Sequence, residues 1–308
     1  MKKALLIRFG GLGDLLIALP SIRFLRARFP EARLTLVCRR QYGELFRETR
    51  VVDEVIPEDS RFLLPLFNAG LSLESEFGGW LGSFDFIMAW TQGKEEDFLL
   101  KTPGIRAGGA LPRIIPADPG GSAQMNVVFF QKTAKALGEN ASLPIGEWSR
   151  LPLTEFSKDA GSKIIIHPGS GSEAKRWPLE NFLKIIGELG EKGIAGALIT
   201  GEAEENMVPA IEGMALPPNW RWIRCPPILS LARLLSGTGL YLGNDSGVTH
   251  LAAACGAAVV ALFRSEFASA WRPLGSVQML SATSLEKISL GSVRRKIFSG
   301  MKNKKFSA

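Results

Sequence analysis

Apolar residues in this chain of 308 residues fall into short unbroken runs, each followed by a longer stretch where they recur every three or four positions. A short run reads as a strand buried on both faces, and the longer spacing as an amphipathic helix. In the first half, ALLIR (4–8) predicts a strand, and LLIALPSIRFLRARF a helix with Leu15, Leu19, Ile22 and Leu25 on one face. Pro20 should dent that helix, and Pro30 should end it. RLTLVC (33–38) predicts a strand, 41–48 a helix, VDEVIP (52–57) a strand, 62–77 a Leu/Phe-rich segment and FDFIMAW (84–90) a strand. Residues 91–123 are less regular, and 125–138 reads as a helix stopped by Gly138.

Residues 139–162, rich in Pro, Ser and charge, read as a linker. The rhythm then resumes, with strands at 163–167, 196–200, 221–225, 240–244 and 258–263. Helices are expected at 178–192, 203–213, 228–236 and 247–255. This βαβα alternation predicts an α/β fold with two doubly wound parallel-sheet domains, 1–155 and 156–308. Two such domains should leave a cleft beside the carboxyl ends of their strands, where ligands bind in these folds.

Composition narrows the reading. An apolar share of 46% and a charged share of 22% describe a globular protein with no low-complexity tract. The net charge of +7 favours anionic partners without naming them. Cys38, Cys225 and Cys255 lie far apart with no metal-binding spacing, and read as free thiols in a reducing compartment. The start MKKALLIRFGGLGDLLIALP imitates a leader peptide, but Arg8, the glycines and Asp14 interrupt its apolar run. No run of about 18 apolar residues occurs, so a cytoplasmic protein is expected. The last segment, SVRRKIFSGMKNKKF (292–306), holds six Lys/Arg and no acid. It is either a solvated helix with a frayed tail or a weak contact for anionic inner-membrane lipid, and the last helix and tail could pack back toward the first domain.

Four stretches could carry chemistry. In GGLGD, Gly10, Gly11 and Gly13 permit a tight turn, and Asp14 can cap the following helix or act as a general base. Leu16 replaces the third glycine of a dinucleotide fingerprint, and Arg39 and Arg40 stand where an acid would close the second strand. An NADP-linked oxidoreductase is therefore weakened as a reading, not removed. In HPGSGSEAKRWPLENF (167–182), Lys175 can neutralise a phosphate, Ser170 and Ser172 can donate to it, and Pro178 suits a first helical turn. No Walker A lysine is present, which argues against nucleoside-triphosphate hydrolysis.

In GNDSGVTHLAAACG (243–256), Asp245 or Ser246 can cap a helix, and Gly247 allows close backbone approach. Thr249 and His250 fall in its first turn. The two histidines, His167 and His250, both sit at strand-to-helix junctions. In ITGEAEEN (199–206), Glu204 or Glu205 could grip both hydroxyls of a ribose, and spacing does not choose between them. There is no GxSxG elbow, no Asp-x-Asp and no His/Cys/carboxylate cluster of metal spacing. No metal, no tightly bound cofactor and no nucleic-acid partner is expected.

Taken together, LGDLLIALPSIRFLRARFP, HPGSGSEAKRWPLENF and LGNDSGVTHLAAACGAAVVALF, in that order, resemble glycosyltransferase family 9, the ADP-heptose:lipopolysaccharide heptosyltransferases. The resemblance covers most of the chain. It implies the GT-B architecture of two Rossmann-like domains facing a central cleft. It further implies inverting, metal-independent transfer of a sugar, heptose by analogy, from an ADP-sugar to a lipopolysaccharide core or related lipid-linked glycan. By the same resemblance Asp14 matches the catalytic base and Lys175 the lysine on the donor phosphates. Asp245, Ser246, Gly247 and His250 match the motif holding pyrophosphate and sugar, and Glu204 or Glu205 the ribose ligand. The chain departs from the family where the usual Gly-Pro-Thr-Asp-Pro after ALF is replaced by Arg264-Ser265-Glu266-Phe267-Ala268, and where AWTQG replaces Asp-Leu-Gln-Gly. A non-catalytic nucleotide-sugar-binding relative is the alternative that these departures keep open.

Overall fold

A computed structural model describes residues 1–66, 76–91, 112–117, 123–142, 148–153 and 164–303. Parts of four expected segments lie outside the described residues: the Leu/Phe-rich stretch, the irregular 91–123 region, the 139–162 linker and the end of the basic tail. The chain divides into two compact units, Met1–Pro152 and Leu153–Ala308.

The first unit is a five-stranded sheet of β1 (Lys3–Ile7), β2 (Arg33–Cys38), β3 (Glu54–Pro57), β4 (Phe86–Thr91) and β5 (Arg113–Pro116). Its order is β3-β2-β1-β4-β5, and every pairing is parallel. β2, β1 and β4 are the inner strands, which is why LTLVC, ALLI and FIMAWT are wholly buried. Helices α1 (Leu12–Arg28), α2 (Arg40–Glu48), α3 (Glu76–Gly82) and α4 (Met125–Ala136) accompany the sheet.

The predicted face of α1 is buried, and Leu16, Ile17, Ala18 and Ser21 are buried with it. The helix is covered on more than one side, because α4 packs along it. Pro20 does not interrupt it: the helix runs through, and the missing N–H deletes one rung of the ladder inside a packed environment. The expected linker begins later than its composition suggests. Trp148 meets Phe24 edge-on at 6.1 Å between ring centres, and the Arg23 guanidinium donates to the Arg150 carbonyl, so these residues belong to the first unit.

The second unit contains β6 (Ile164–His167), β7 (Gly196–Thr200), β8 (Trp220–Arg224), β9 (Leu240–Asn244), β10 (Ala258–Arg264) and β11 (Val277–Ala282). The six strands follow the order β11-β10-β9-β6-β7-β8, all parallel. That is the doubly wound order, in which the winding reverses between the first and fourth strands, here β6 and β9. The helices are α5 (Leu179–Glu191), α6 (Val208–Glu212), α7 (Ile228–Ser236), α8 (Gly247–Ala254), α9 (Ser265–Ala268) and α10 (Leu290–Asn303).

Two expectations change here. The helix expected over 203–213 is a 3-10 segment, Glu202–Met207, followed by α6, with a proline in its first turn. Strand β11 was not anticipated: it is an edge strand with a half-buried, mixed pattern. Helix α10 lays Val293 and Ile297 into the core of the second unit, beside Trp177, Phe182 and Leu242. The Arg294 guanidinium is held there by the Glu188 carboxylate.

Candidate functional site

In each sheet the strand order reverses beside its first strand, and most of the residues singled out from the sequence follow the carboxyl ends of the strands at those two points, with Glu204 and Glu205 after the neighbouring β7. In the first unit, β1 ends at Ile7 and the chain turns through Gly10, whose φ of +109° lies in the region that glycine tolerates. Asp14 stands in the first turn of α1, and its Oδ2 accepts the Gly11 N–H at 2.8 Å. Its Oδ1 accepts from Arg8 Nη2 at 2.9 Å. Arg8 is buried and makes further contacts: Nε donates to the Asp14 carbonyl at 3.1 Å, Nη1 to the Trp90 carbonyl at 3.1 Å, and the guanidinium lies 5.5 Å from the Phe129 ring centre. The arginine thus joins the end of β1, the start of α1 and the end of β4. Sequence reasoning missed it, although a charge closing an apolar strand just before a glycine turn is the available signal. Gly13 lies inside α1 rather than in the turn.

In the second unit the loop after β6 is tied to the end of β9. Asn244 Nδ2 donates to the Pro168 carbonyl at 2.7 Å, and its Oδ1 accepts the Trp177 N–H at 3.1 Å. Trp177 Nε1 donates to the Ile288 carbonyl at 2.9 Å, which pins the far end of the loop. Arg176 donates through Nε and Nη2 to the Ser170 carbonyl at 3.1 and 2.9 Å, and through Nη2 to the Ala203 carbonyl at 3.0 Å. With its frame fixed in this way, the loop presents Lys175 at the end of a 3-10 turn. Lys175 Nζ lies 2.7 Å from Asp245 Oδ2 and 4.6 Å from the Phe267 ring centre.

Ser246, not Asp245, caps α8, its Oγ accepting the Thr249 N–H at 3.3 Å. Gly247 opens that helix, so its N-terminal end follows directly on Asp245, the partner of Lys175, and a helix start of this kind favours an anion. His250 is buried in the first turn. Thr249 departs from the sequence reading: it is fully buried, and its hydroxyl meets the Asn244 carbonyl, Tyr241 Oη and Ser246 Oγ. Ser170 departs likewise. Its single hydroxyl proton goes to the Asp245 carbonyl at 2.7 Å, and its side chain is buried. Both hydroxyls are engaged in the frame of the site.

The two glutamates have different surroundings. Glu205 is exposed, whereas Glu204 is buried at the end of β7. Glu204 Oε2 accepts the Gly201 N–H at 2.7 Å and lies 3.5 Å from His167 Nε2. A Cβ on Gly169 would stand 2.0 Å from Glu204 Oε1, so that glycine makes room for the carboxylate. Burial pushes the Glu204 pKa up, but His167, the Gly201 N–H and the Arg176 charge together outweigh it and leave the pKa below the ordinary value. Lysine, helix start and buried carboxylate make an arrangement suited to a diphosphate joined to a diol.

Among the described residues, no group of three or more His, Cys, Asp or Glu is placed to hold a metal ion, and no helix is long and apolar enough to cross a membrane.

Comparisons with known proteins follow the same lines. The family model "Glycosyltransferase family 9 (heptosyltransferase)" matches residues 128–293. Lipopolysaccharide heptosyltransferase 1 of Escherichia coli (strain K12) is 30% identical over 128 residues, covering 39% of this chain and only 38% of that relative's length. Among solved structures, E. coli ADP-heptose lps heptosyltransferase II superposes with a TM-score of 0.76 at 18% identity, covering 99% of this chain and 100% of the other. E. coli heptosyltransferase WaaC with ADP gives a TM-score of 0.72 at 18% identity, covering 97% and 99%. At such identities the structural likeness speaks to the fold: two Rossmann-like units of the GT-B kind.

Proposed function

The chain belongs to glycosyltransferase family 9, and from that premise we propose that it is an inverting glycosyltransferase using an ADP-sugar donor. In this reading the sugar is heptose and the acceptor a lipopolysaccharide core or related lipid-linked glycan. The observation that carries the proposal is the grouping of Lys175, the start of α8 and the buried Glu204 at the carboxyl ends of β6, β7 and β9.

The donor-side roles are read from that grouping, and the role of Asp14 from the family resemblance. Lys175 turns from Asp245 to the donor pyrophosphate, and the helix-start N–H groups share the charge that grows on the leaving ADP. Glu204, rather than Glu205, accepts the two ribose hydroxyls, because its carboxylate is already desolvated and aimed by Gly201 and His167. Asp14 accepts the proton of the acceptor hydroxyl as that oxygen attacks the anomeric carbon. The bond from that carbon to the pyrophosphate oxygen breaks, and ADP leaves from the opposite face. Arg8 and the Gly11 N–H each take one of the Asp14 oxygens, yet the carboxyl is 29% exposed and keeps lone pairs for a hydroxyl.

The test is transfer from ADP-heptose to heptose-deficient lipopolysaccharide, read by mass spectrometry. The wild type transfers, and Asp14→Asn binds ADP but loses turnover by about 100-fold or more, the scale of a general base. The pairing of both Asp14 oxygens within the fold favours a second reading, a nucleotide-sugar-binding relative without transfer. ADP binding by a wild type that transfers from no ADP-sugar would establish that reading.

The segment 292–306 is proposed as a weak contact with anionic inner-membrane lipid, supported by the exposed Arg295 on a helix whose other face is buried. Sedimentation with phosphatidylglycerol vesicles at low salt, lost on truncation after residue 300, is the expected result.

A further inference from the structure

Lysine is a compact charge on a flexible stem, and a lysine that must meet a diphosphate needs something to hold it in place. Lys175 has two such holds. Asp245 is the first, at 2.7 Å, and it is an anion that a diphosphate would replace. The second is the Phe267 ring, whose centre lies 4.6 Å from Nζ. An aromatic face attracts a cation through its quadrupole without occupying the ammonium N–H groups as an anion would. It can therefore keep its grip while those hydrogens turn toward phosphate oxygens.

Phe267 is in α9, on the segment Arg264–Ala268 where this chain departs from the Gly-Pro-Thr-Asp-Pro of the family it resembles. The ring is half-buried and is not part of the core cluster built around Trp177 and Phe182. Its position is braced from the strand side: the Arg264 guanidinium lies 5.9 Å from the same ring centre and pairs with Glu266 at 3.1 Å. One ring thus stands beside two cations, on a segment that starts where β10 ends.

We propose that Phe267 is a positioning residue that holds Lys175 at the phosphate site, a device that this chain has in place of the usual family loop. The inference rests on the donor reading above, for which Lys175 is the phosphate contact.

Calorimetric titration with ADP and with adenosine tests it, using the wild type, Phe267→Leu, Phe267→Tyr, Lys175→Ala and the Lys175→Ala/Phe267→Leu double variant. Phe267→Leu should bind ADP about two- to fivefold more weakly, the size of a partly exposed cation–π contact, with adenosine affinity unchanged. Phe267→Tyr, which keeps the ring, should stay near the wild type. In the Lys175→Ala background, Phe267→Leu should make no further difference. Equal loss for ADP and adenosine, equal loss in both backgrounds, or no loss at all would overturn the proposal. A second measurement needs no nucleotide: the acetylation rate of Lys175 in the native protein, followed by mass spectrometry, should rise in Phe267→Leu. An unchanged rate also overturns the positioning role. A wild type that does not bind ADP would instead overturn the donor reading, and the acetylation arm would still report on the ring.

Discussion

Arg8 Nη2 and Asp14 Oδ1 meet at 2.9 Å, joining a buried guanidinium to a carboxylate that is 29% exposed. The same guanidinium also serves two carbonyls, those of Asp14 and Trp90. A lysine at this position could not span all three acceptors, since its donors radiate from one nitrogen. Arg8→Lys should therefore lower unfolding free energy by about 2 kcal/mol, less than the loss expected for a fully buried pair because Asp14 is partly solvated. Urea unfolding checks the stability. If Asp14 is the base, the variant should also lose kcat while ADP affinity stays unchanged.

Gly10 and Gly11 are adjacent but not equivalent. Gly10 has φ +109°, and an added Cβ would stand 2.7 Å from Asp14 Oδ2. At Gly11 the backbone is extended, and the same atom would make an ordinary contact at 3.6 Å. Gly10→Ala should cost about 1–3 kcal/mol from strain and the displaced carboxylate, and Gly11→Ala less than about 1 kcal/mol. Their melting temperatures should separate accordingly.

Gly169 tests the Glu204 assignment from the other side. A methyl group there would stand 2.0 Å from Glu204 Oε1 and push the carboxylate from its place. Gly169→Ala should weaken ADP binding about as much as Glu204→Gln does, and Glu205→Gln should have no effect. Calorimetry on the three variants reads the difference. Equal effects of Glu204→Gln and Glu205→Gln would dismiss the distinction drawn between them.

The lowered Glu204 pKa sets the sign of a pH effect. A carboxylate whose folded pKa lies below its unfolded value stabilises the fold above the unfolded pKa, and loses that contribution as pH falls through the folded value. The stability gap between wild type and Glu204→Gln should thus be full at pH 7 and shrink below about pH 4, the ordinary glutamate range. Parallel urea titrations at pH 7 and pH 3.5 measure it. A gap that widens on acidification would contradict the assigned direction.

The three cysteines should differ in reactivity. Burial and the Glu58 charge push the Cys38 thiol up to about 12, and burial raises Cys255 as well. Cys225 is exposed, at a backbone position with φ 44°. Iodoacetamide on the native protein should therefore label Cys225 first, and the other two only on unfolding. Peptide mapping by mass spectrometry distinguishes the sites.

Much of this molecule was legible in advance because buried strands and amphipathic helices repeat over short distances. The runs ALLI, RLTLV, IIIH, GALIT and LYLGN became strands within a residue or two of expectation. Strand β11 escaped because an edge strand is only half covered, so its sequence need not be uniformly apolar. The helix of 203–213 was misjudged in kind because its acidic start winds as 3-10 before Pro209 can begin a new turn. At the sites, residue types were legible but not their orientations. Asp14, Lys175 and Asp245 fall at strand-to-helix junctions, as their surroundings in the chain imply.

What the sequence determined by itself is the alternation that dictates parallel sheets, the glycine turns after the first strands and the order of the three motifs. Those are local matters, decided by periodicity and by what each backbone position tolerates. Only tertiary structure decided that Ser170 and Thr249 turn inward, that Glu204 is buried while Glu205 is not, that Arg8 holds Asp14, and that Phe267 reaches Lys175. Ser170 and Asp245 are 75 residues apart and meet because β6 lies beside β9 in the sheet. Pairings of that kind depend on which strands become neighbours. Strand order follows from packing the whole unit, so no local pattern in the chain records it.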